Sequence, residues 1–298
     1  MTYDRLTATL ADLNEEDHEL IFVDDGSSDG TAQILHGLCI SSHKVKLLRL
    51  ARNFGHQMAV TAGLEESTGE AVVVIDADLQ DPPEVIGRML EKWEEGYQVA
   101  YGVRTDRSGE TRFKVLTAKA FYRLINRLSE TPIPADTGDF RLMDRSVVNA
   151  LLSMPERDRF LRGMVSWIGF KQAPVEYERD ARRAGRTKYP LGKMLRFAVD
   201  GILSFSIIPL KLAIWIGFCS LGLSLIGIVT AFLERVYKLY DVTIGRGWAS
   251  IFIAVLFLGG VQLLTLGIIG EYLGRIYLEV KRRPLYVIEE RIGFDREK

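Results

Sequence analysis

Short apolar runs alternate with amphipathic stretches through the first half of the chain. Runs rich in β-branched and other apolar residues occupy positions 20–23, 45–50, 72–75 and 98–103, and between them apolar side chains recur every three or four positions. A short apolar run of this kind predicts a strand buried on both faces, and the wider spacing predicts a helix. The alternation therefore predicts an α/β fold with a mostly parallel sheet.

Carboxylates directly follow two of these runs. Asp24-Asp25 ends the first run, and Asp76-Ala77-Asp78 ends the third. Side chains two residues apart in an extended chain point to the same side, so Asp76 and Asp78 can converge, and Gln80 follows in phase if the extension continues. Two carboxylates and an amide oxygen are hard ligands that suit Mg²⁺ or Mn²⁺. An isolated Asp-x-Asp, however, more often caps the following helix, here near Pro82.

Two other polar segments leave alternatives open. The segment after the first strand predicts either a turn with Asp29 as a helix N-cap, or a carboxylate that binds a nucleotide base or ribose. His56 opens a helix, where free N–H groups attract anions, and we favour a helix-start role over a ligand contact. Neither G-x-G-x-x-G after a strand nor G-x-x-x-x-G-K-[ST] occurs. This argues against dinucleotide oxidoreductases and P-loop NTPases.

Two long apolar runs dominate the last third of the chain. Residues 212–233 and 248–269 are each long enough for a hydrocarbon core, which takes about 20 helical residues. Basic residues precede the first run and Lys281-Arg282-Arg283 follows the second. The positive-inside tendency places both flanks in the cytoplasm. We therefore expect a multi-pass membrane protein, with its N-terminal α/β domain and its tail on the cytoplasmic face.

Basic amphipathic segments lie between the predicted sheet and the apolar runs. Residues 113–128 predict a basic helix that either rests on the membrane or is an ordinary surface helix. Residues 179–189 predict a basic loop that either is solvated or clamps phosphate. We expect four regions: a cytoplasmic domain (1–186), a juxtamembrane amphipathic helix (187–209), two transmembrane helices with a short external loop (210–272) and a cytoplasmic tail (273–298).

Composition excludes some classes of partner and compartment. The formal net charge of −1 lacks the basic excess of a nucleic-acid-binding protein. The two cysteines, Cys39 and Cys219, lie in different regions, which indicates no disulfide framework and fits a reducing compartment. Small residues along both apolar runs allow close helix packing, so a homo-oligomer is compatible with the sequence.

Several motifs together resemble glycosyltransferase family 2. With its two predicted spans, the chain looks like the polyprenyl-phosphate glycosyltransferases of that family, which include bactoprenol glucosyltransferases and dolichol-phosphate mannose synthases. The resemblance implies a GT-A, Rossmann-like catalytic domain that transfers a hexose with inversion. The implied substrates are a nucleotide-diphosphate sugar such as UDP-glucose and undecaprenyl phosphate, and the product would be a lipid-linked sugar for cell-envelope glycans. The matching segments are Asp24-Asp25-Gly26-Ser27, Asn53-Phe54-Gly55, residues 76–83, Gly138-Asp139-Phe140-Arg141 and Ala184-Gly185-x-Thr187-Lys188-Tyr189.

The resemblance implies a role for each matching residue. Asp24, Asp25 and Asp76 would bind the nucleotide sugar, and Asp76, Asp78 and Gln80 would hold Mg²⁺ or Mn²⁺ on its diphosphate. Asp78 and Asp139 would be the catalytic residues. Because a phosphate-monoester acceptor is already ionised at neutral pH, we expect Asp139 to orient other groups rather than to act as a base. The implied phosphate and acceptor contacts are Arg104, Arg141, Arg182 and Lys188.

The start of the chain departs from the family pattern. The family opens with a strand and a Pro-x-Tyr-Asn-Glu segment that line the nucleotide pocket, whereas Met1 falls where the next helix should be under way. We therefore expect an N-terminally truncated domain that is less stable and less active than a longer version. This departure also keeps open a catalytically impaired, membrane-anchored binding subunit. A mannosyl- or aminoarabinosyltransferase is a further alternative, while a polysaccharide synthase would carry Q-x-x-R-W and more spans.

Overall fold

The structure is a computed structural model that describes residues 2–13, 17–105, 137–178, 208–237 and 248–294. The chain forms two compact units, one of Met1–Arg196 with Arg283–Lys298 and the other of Phe197–Arg282. The predicted basic helix at 113–128 and the basic loop with Arg182 and Lys188 lie outside the described residues, as does most of the juxtamembrane segment.

The larger unit alternates strands and helices as the apolar pattern predicts. All four apolar runs contribute strands, so the α/β prediction is confirmed. Two further strands near the middle and end of the chain, β5 and β7, were not predicted. The described elements of this unit are α1 Thr2–Asp12, β1 Leu20–Asp24, α2 Thr31–Ser41, β2 Val45–Leu50, α3 His56–Glu66, β3 Ala71–Val74, α4 Val85–Glu94, β4 Val99–Arg104, β5 Thr137–Asp144, α5 Arg145–Ser153, α6 Leu161–Ile168, β6 Gln172–Tyr177 and β7 Ile288–Ile292.

The strands form two mixed sheets, so the prediction of a mostly parallel sheet is wrong. One sheet has the order β1-β2-β7 and the other β3-β5-β4-β6. Among the described strands, β1 with β2 and β4 with β6 pair in parallel, whereas β5 and β7 pair antiparallel with their neighbours. An apolar run reports burial rather than direction, which is why the pattern could not reveal the antiparallel strands.

Strand direction brings the ends of four strands to one edge of the second sheet. Because β3 and β4 both run antiparallel to β5, and β6 runs parallel to β4, the carboxyl ends of β3, β4 and β6 lie at the edge where β5 begins. Asp76 follows β3, while Arg104 and Tyr177 end β4 and β6 and face each other in register. Asp139 lies near the start of β5. Polar residues distant in sequence therefore meet at this edge.

Helices cover both faces of the second sheet. On one face Met89 of α4 packs with Phe140 and Leu142 of β5, and on the other Leu151 of α5 packs with Met143. All five side chains are buried. This two-sided burial explains why β3 and β4 appear as continuous apolar runs.

The end of the chain belongs to the larger unit. The segment predicted to be a cytoplasmic tail (273–298) contains a strand, β7, which pairs antiparallel with β2. Tyr286 donates a hydrogen bond to Glu65 on α3, and Arg291 forms a 2.6 Å ion pair with Glu66. Gly293 has a φ of 80°, and an added Cβ there would lie 2.8 Å from the carbonyl oxygen of Val45, so the pairing requires glycine. The chain therefore returns to the larger unit after its last long helix.

The smaller unit contains two long helices, α7 (Ile208–Tyr237) and α8 (Trp248–Val280). Within the described residues, the stretch Ala254–Val280 of α8 is long and apolar enough to cross a membrane, judged by length and composition alone. The apolar stretch of α7, Ala213–Gly227, is shorter. Both predicted helices are present, and among the described residues the apolar stretch of the second alone meets this criterion of length and composition.

Candidate active site

The predicted metal-binding segment turns immediately after β3. The Oδ1 atom of Asp78 accepts a hydrogen bond from the backbone N–H of Gln80 at 3.1 Å, and the intervening Leu79 has a φ of 57°. Gln80 therefore does not continue the extended phase of Asp76 and Asp78, and that part of the prediction is wrong. Its side chain is instead buried, and its Oε1 atom has no hydrogen-bond partner among the described residues.

The donor set fits a metal only if a substrate completes the coordination. Burial, followed by the negative charges of Asp81, Asp139 and Asp78, raises the pKa of Asp76 against the opposing effect of His56. In the described ranges, however, no three His, Cys, Asp or Glu side chains cluster closely enough to hold a metal ion. Two carboxylates and the amide oxygen of Gln80 suit Mg²⁺ or Mn²⁺, which commonly bind one or two carboxylates together with substrate phosphates.

Asp139 is held by a dense set of donors. Its carboxylate accepts hydrogen bonds from Arg162 at 2.7 and 3.1 Å, from His56 Nε2 at 2.9 Å and from Gln57 Nε2 at 3.3 Å. The Oε1 atom of Gln57 in turn accepts the backbone N–H of Leu161 at 3.0 Å. Burial alone would raise the pKa of Asp139, but the hydrogen bonds from His56 and Arg162 outweigh burial and hold that pKa below its usual value. A carboxylate so engaged is a weak proton acceptor.

Arg141 lies two residues after Asp139 on β5. Its side chain is buried and donates a hydrogen bond to the carbonyl oxygen of Gly138 at 3.1 Å. Burial lowers the pKa of Arg141 to about 10, while the negative charge of Asp139 opposes that shift. Arg141 therefore supports Asp139 from the interior, and its expected contact with a phosphate remains a prediction.

The two carboxylates after β1 make internal contacts. Asp24 is buried and its Oδ1 atom accepts the backbone N–H of Ser27 at 3.0 Å. The two oxygens of Asp25 accept the backbone N–H groups of Phe54 at 2.7 Å and Gly55 at 2.9 Å. Asp25 thus fixes the loop that leads into α3 and to His56. Nucleotide binding by either aspartate remains a prediction.

Three residues of the site contact Asp139 in ways that the sequence does not predict. The helix-start role favoured for His56 is confirmed, because it is the first residue of α3. Its Nε2 atom nevertheless lies 2.9 Å from Asp139 and 3.8 Å from Oδ1 of Asp76. The other two residues, Gln57 and Arg162, showed no signal beyond their place in polar segments.

Comparisons with known proteins identify the family to which the chain is similar. The family model described as glycosyl transferase family 2 matches residues 2–152. An uncharacterized glycosyltransferase, YkcC, of Bacillus subtilis (strain 168) is 50% identical over 297 residues, which cover 100% of this chain and 91% of the relative. The bactoprenol glucosyl transferase of Shigella phage SfX is 43% identical over 277 residues, 92% of this chain and 88% of the relative.

The chain is also similar to a solved structure, that of glucosyl-3-phosphoglycerate synthase from Mycobacterium tuberculosis in complex with Mn²⁺, UDP-glucose and phosphoglyceric acid. The similarity covers 62% of this chain and 68% of that one, at 21% identity and a TM-score of 0.39.

Proposed function

Because this chain belongs to glycosyltransferase family 2, we propose that it transfers a hexose, with inversion, from a nucleotide-diphosphate sugar to a polyprenyl phosphate. The observation that carries the proposal is the meeting of Asp76, Asp139, His56 and Arg162 at one sheet edge. Acidic groups suit a metal-bound donor, and cationic groups suit an anionic acceptor. Relatives such as the SfX protein, whose name specifies bactoprenol and glucose, lead us to propose undecaprenyl phosphate as acceptor and UDP-glucose as donor. The lipid-linked sugar would then serve modification of cell-envelope glycans.

The donor half of the proposed site is formed by the strand-end carboxylates. Asp24, Asp25 and Asp76 are the proposed nucleotide-sugar contacts, and Asp76, Asp78 and Gln80 would hold Mg²⁺ or Mn²⁺. Such an ion would neutralise charge on the departing diphosphate. The turn that Asp78 forms with Gln80 fixes the backbone between these groups.

The acceptor half does not require a strong base. A phosphate monoester is largely ionised at neutral pH and is itself the nucleophile. Asp139, whose pKa is lowered and whose oxygens already accept several hydrogen bonds, is better suited to orienting His56 and Arg162. These cationic or hydrogen-bonding groups would reduce the repulsion between acceptor phosphate and donor diphosphate. The proposed phosphate contacts are Arg104, Arg141, Arg182 and Lys188, and the last two lie outside the described residues.

The return of the chain supports a two-span anchor. Because β7 follows α8 and pairs with β2, the chain rejoins the unit that it left before α7. A chain that leaves and rejoins one folded unit must cross a membrane an even number of times. If α8 crosses, α7 therefore crosses as well, and its 30 residues correspond to roughly 45 Å of helix, against about 30 Å of hydrocarbon. We propose that both ends lie in the cytoplasm, beside the inner-membrane lipid that holds the acceptor.

A transfer assay tests the proposed function. Membranes containing the chain are incubated with radiolabelled UDP-glucose, Mg²⁺ or Mn²⁺ and undecaprenyl phosphate, and chain carrying Asp78→Ala serves as the control. Metal-dependent label in the organic-extractable lipid is the expected result. Label in insoluble polymer would instead indicate a polysaccharide synthase. The absence of transfer with a panel of nucleotide sugars would favour a binding subunit.

A further inference from the structure

Arg104 lies in a buried polar cluster separate from the donors around Asp139. The cluster joins the turn after β3 to the ends of β4 and β6. Tyr177 donates its hydroxyl hydrogen to Oδ1 of Asp81 and accepts a hydrogen bond from Nε of Arg104 at 3.2 Å. An Nη atom of Arg104 lies 3.6 Å from the same Asp81 oxygen. The side chain of Asp81 is 1% exposed, whereas that of Arg104 is 28% exposed.

The backbone leaves room for this cluster at two glycines. A Cβ atom on Gly102 would lie 2.7 Å from the ring of Tyr177, and one on Gly138 would lie 2.8 Å from an Nη atom of Arg104. The Tyr177 ring also packs edge-to-face on Phe140, with centroids 5.7 Å apart and an interplanar angle of 89°. Ring and guanidinium are therefore confined by strand backbone and by a core side chain, so each has little freedom to move.

The chemistry of the three groups is complementary. A buried carboxylate needs a hydrogen-bond donor and a positive partner, and Tyr177 and Arg104 supply them. Burial, together with the bond to Asp81, raises the pKa of Tyr177 to about 12, so the phenol remains a donor at neutral pH. The hydroxyl of Tyr177 therefore connects the buried carboxylate of Asp81 to the Nε atom of Arg104 through two hydrogen bonds.

We propose that Asp81 and Tyr177 are positioning residues that hold the guanidinium of Arg104 at the sheet edge to bind an ionised phosphate of the donor or the acceptor. The proposal rests on the proposed function. In this proposal Arg104 has a fixed orientation, and the absence of a side chain at Gly138 leaves room for its guanidinium. A planar guanidinium held on one side presents its remaining N–H groups in a defined geometry, which is the arrangement that phosphate recognition uses.

The test is a double-mutant cycle in the whole 298-residue chain, purified in detergent and assayed with UDP-glucose, Mg²⁺ and undecaprenyl phosphate. Tyr177→Phe keeps the ring and removes the hydroxyl, and we expect it to lower kcat/KM about tenfold, the scale of one lost hydrogen bond. Arg104→Ala should lower it about a hundredfold. Adding Tyr177→Phe to Arg104→Ala should then have no further effect, which a merely structural tyrosine would not show. Tyr101→Phe, on the neighbouring strand β4, is the matched control and should retain activity.

The substrate whose KM rises in these variants shows whether Arg104 binds a phosphate of the donor or of the acceptor. A raised KM for UDP-glucose indicates the donor diphosphate, and a raised KM for undecaprenyl phosphate indicates the acceptor. Asp81→Asn provides a second variant should Tyr177→Phe unfold, as judged by its melting temperature, and it should also be non-additive with Arg104→Ala.

Three outcomes would overturn the proposal, and they differ from one another. Full activity of a folded Tyr177→Phe chain beside a defective Arg104→Ala chain refutes the positioning role alone. Full additivity of the two substitutions does the same. Absence of transfer by the unsubstituted chain refutes the proposed function, and this role with it.

Discussion

The Nε2 atom of His56 lies 2.9 Å from Oδ2 of Asp139, although the two residues are 83 positions apart. The same atom is 3.8 Å from Asp76, so one imidazole lies between a carboxylate of the proposed donor half and one of the proposed acceptor half. Two carboxylates this close to one group repel each other unless a donor or a cation separates them. His56, together with Arg162, supplies that separation.

Substitution of His56 is therefore expected to impair transfer. We expect His56→Ala to lower kcat about tenfold, because Asp139 loses one hydrogen bond and Asp76 loses an imidazole that lies 3.8 Å from it. His56→Gln should restore part of the activity, since an amide N–H can replace the donor. Steady-state kinetics with both substrates provides the measurement, with His43→Ala in an exposed turn as control. Equal activity of His56→Ala and the unsubstituted chain would contradict the bridging role.

The two proposed catalytic aspartates should respond differently to substitution. Asp78→Ala removes a proposed metal ligand and should abolish measurable transfer. Asp139→Asn keeps the size of the side chain and part of its hydrogen bonding, so we expect activity to fall only about ten- to a hundredfold. The measurement is lipid-linked radiolabel per unit of protein over a range of Mg²⁺ concentrations. An Asp139→Asn chain as inactive as Asp78→Ala would argue against an orienting role.

The sequence predicted the strands and their polar ends better than it predicted what those ends contact. The apolar runs predict β1 to β4. They do not predict β5, because the polar residues Asp139 and Arg141 occupy buried positions in that strand and interrupt its apolar pattern. β7 contains Glu289, Glu290 and Arg291, which hide a strand exposed on one side. The contact of Arg162 with Asp139 depends on tertiary packing, which no local periodicity encodes.

Glu19 should make the larger unit sensitive to acid. Its carboxylate accepts hydrogen bonds from Lys46 at 2.6 Å and from the backbone N–H of Thr68 at 2.7 Å, and so joins the chain before β1 to β2 and to the chain before β3. Burial alone would raise its pKa, but these bonds outweigh burial and lower the pKa from 4.5. A lowered folded-state pKa means that the stabilisation is complete above the unfolded value and is lost as the pH falls through the folded one.

Glu19→Gln tests this expectation through melting temperatures across a pH series. At pH 7 we expect the substitution to destabilise the chain by about 1 kcal/mol. The difference from the unsubstituted chain should shrink below pH 4.5, where Glu19 itself becomes protonated. Glu70→Gln, at an exposed position before β3, is the matched control. A difference that stays constant down to pH 3 would show that Glu19 contributes through packing rather than through its charge.

The pairing of β7 with β2 makes the membrane topology testable. Because the tail rejoins the catalytic unit, the tail and that unit must share one face, and a two-span anchor then exposes the segment between α7 and α8 on the other. In a chain whose Cys39 and Cys219 are replaced by Ser, a single cysteine is introduced by Thr243→Cys or, separately, by Glu297→Cys. A membrane-impermeant maleimide added to intact cells should label Thr243→Cys and leave Glu297→Cys unlabelled until the membrane is permeabilised. Labelling of both in intact cells would reverse the cytoplasmic assignment of the tail, and labelling of neither would favour helices that do not cross. Retained transfer activity in both chains shows that the labelled molecules have the native fold, so either contrary pattern would overturn the two-span anchor itself.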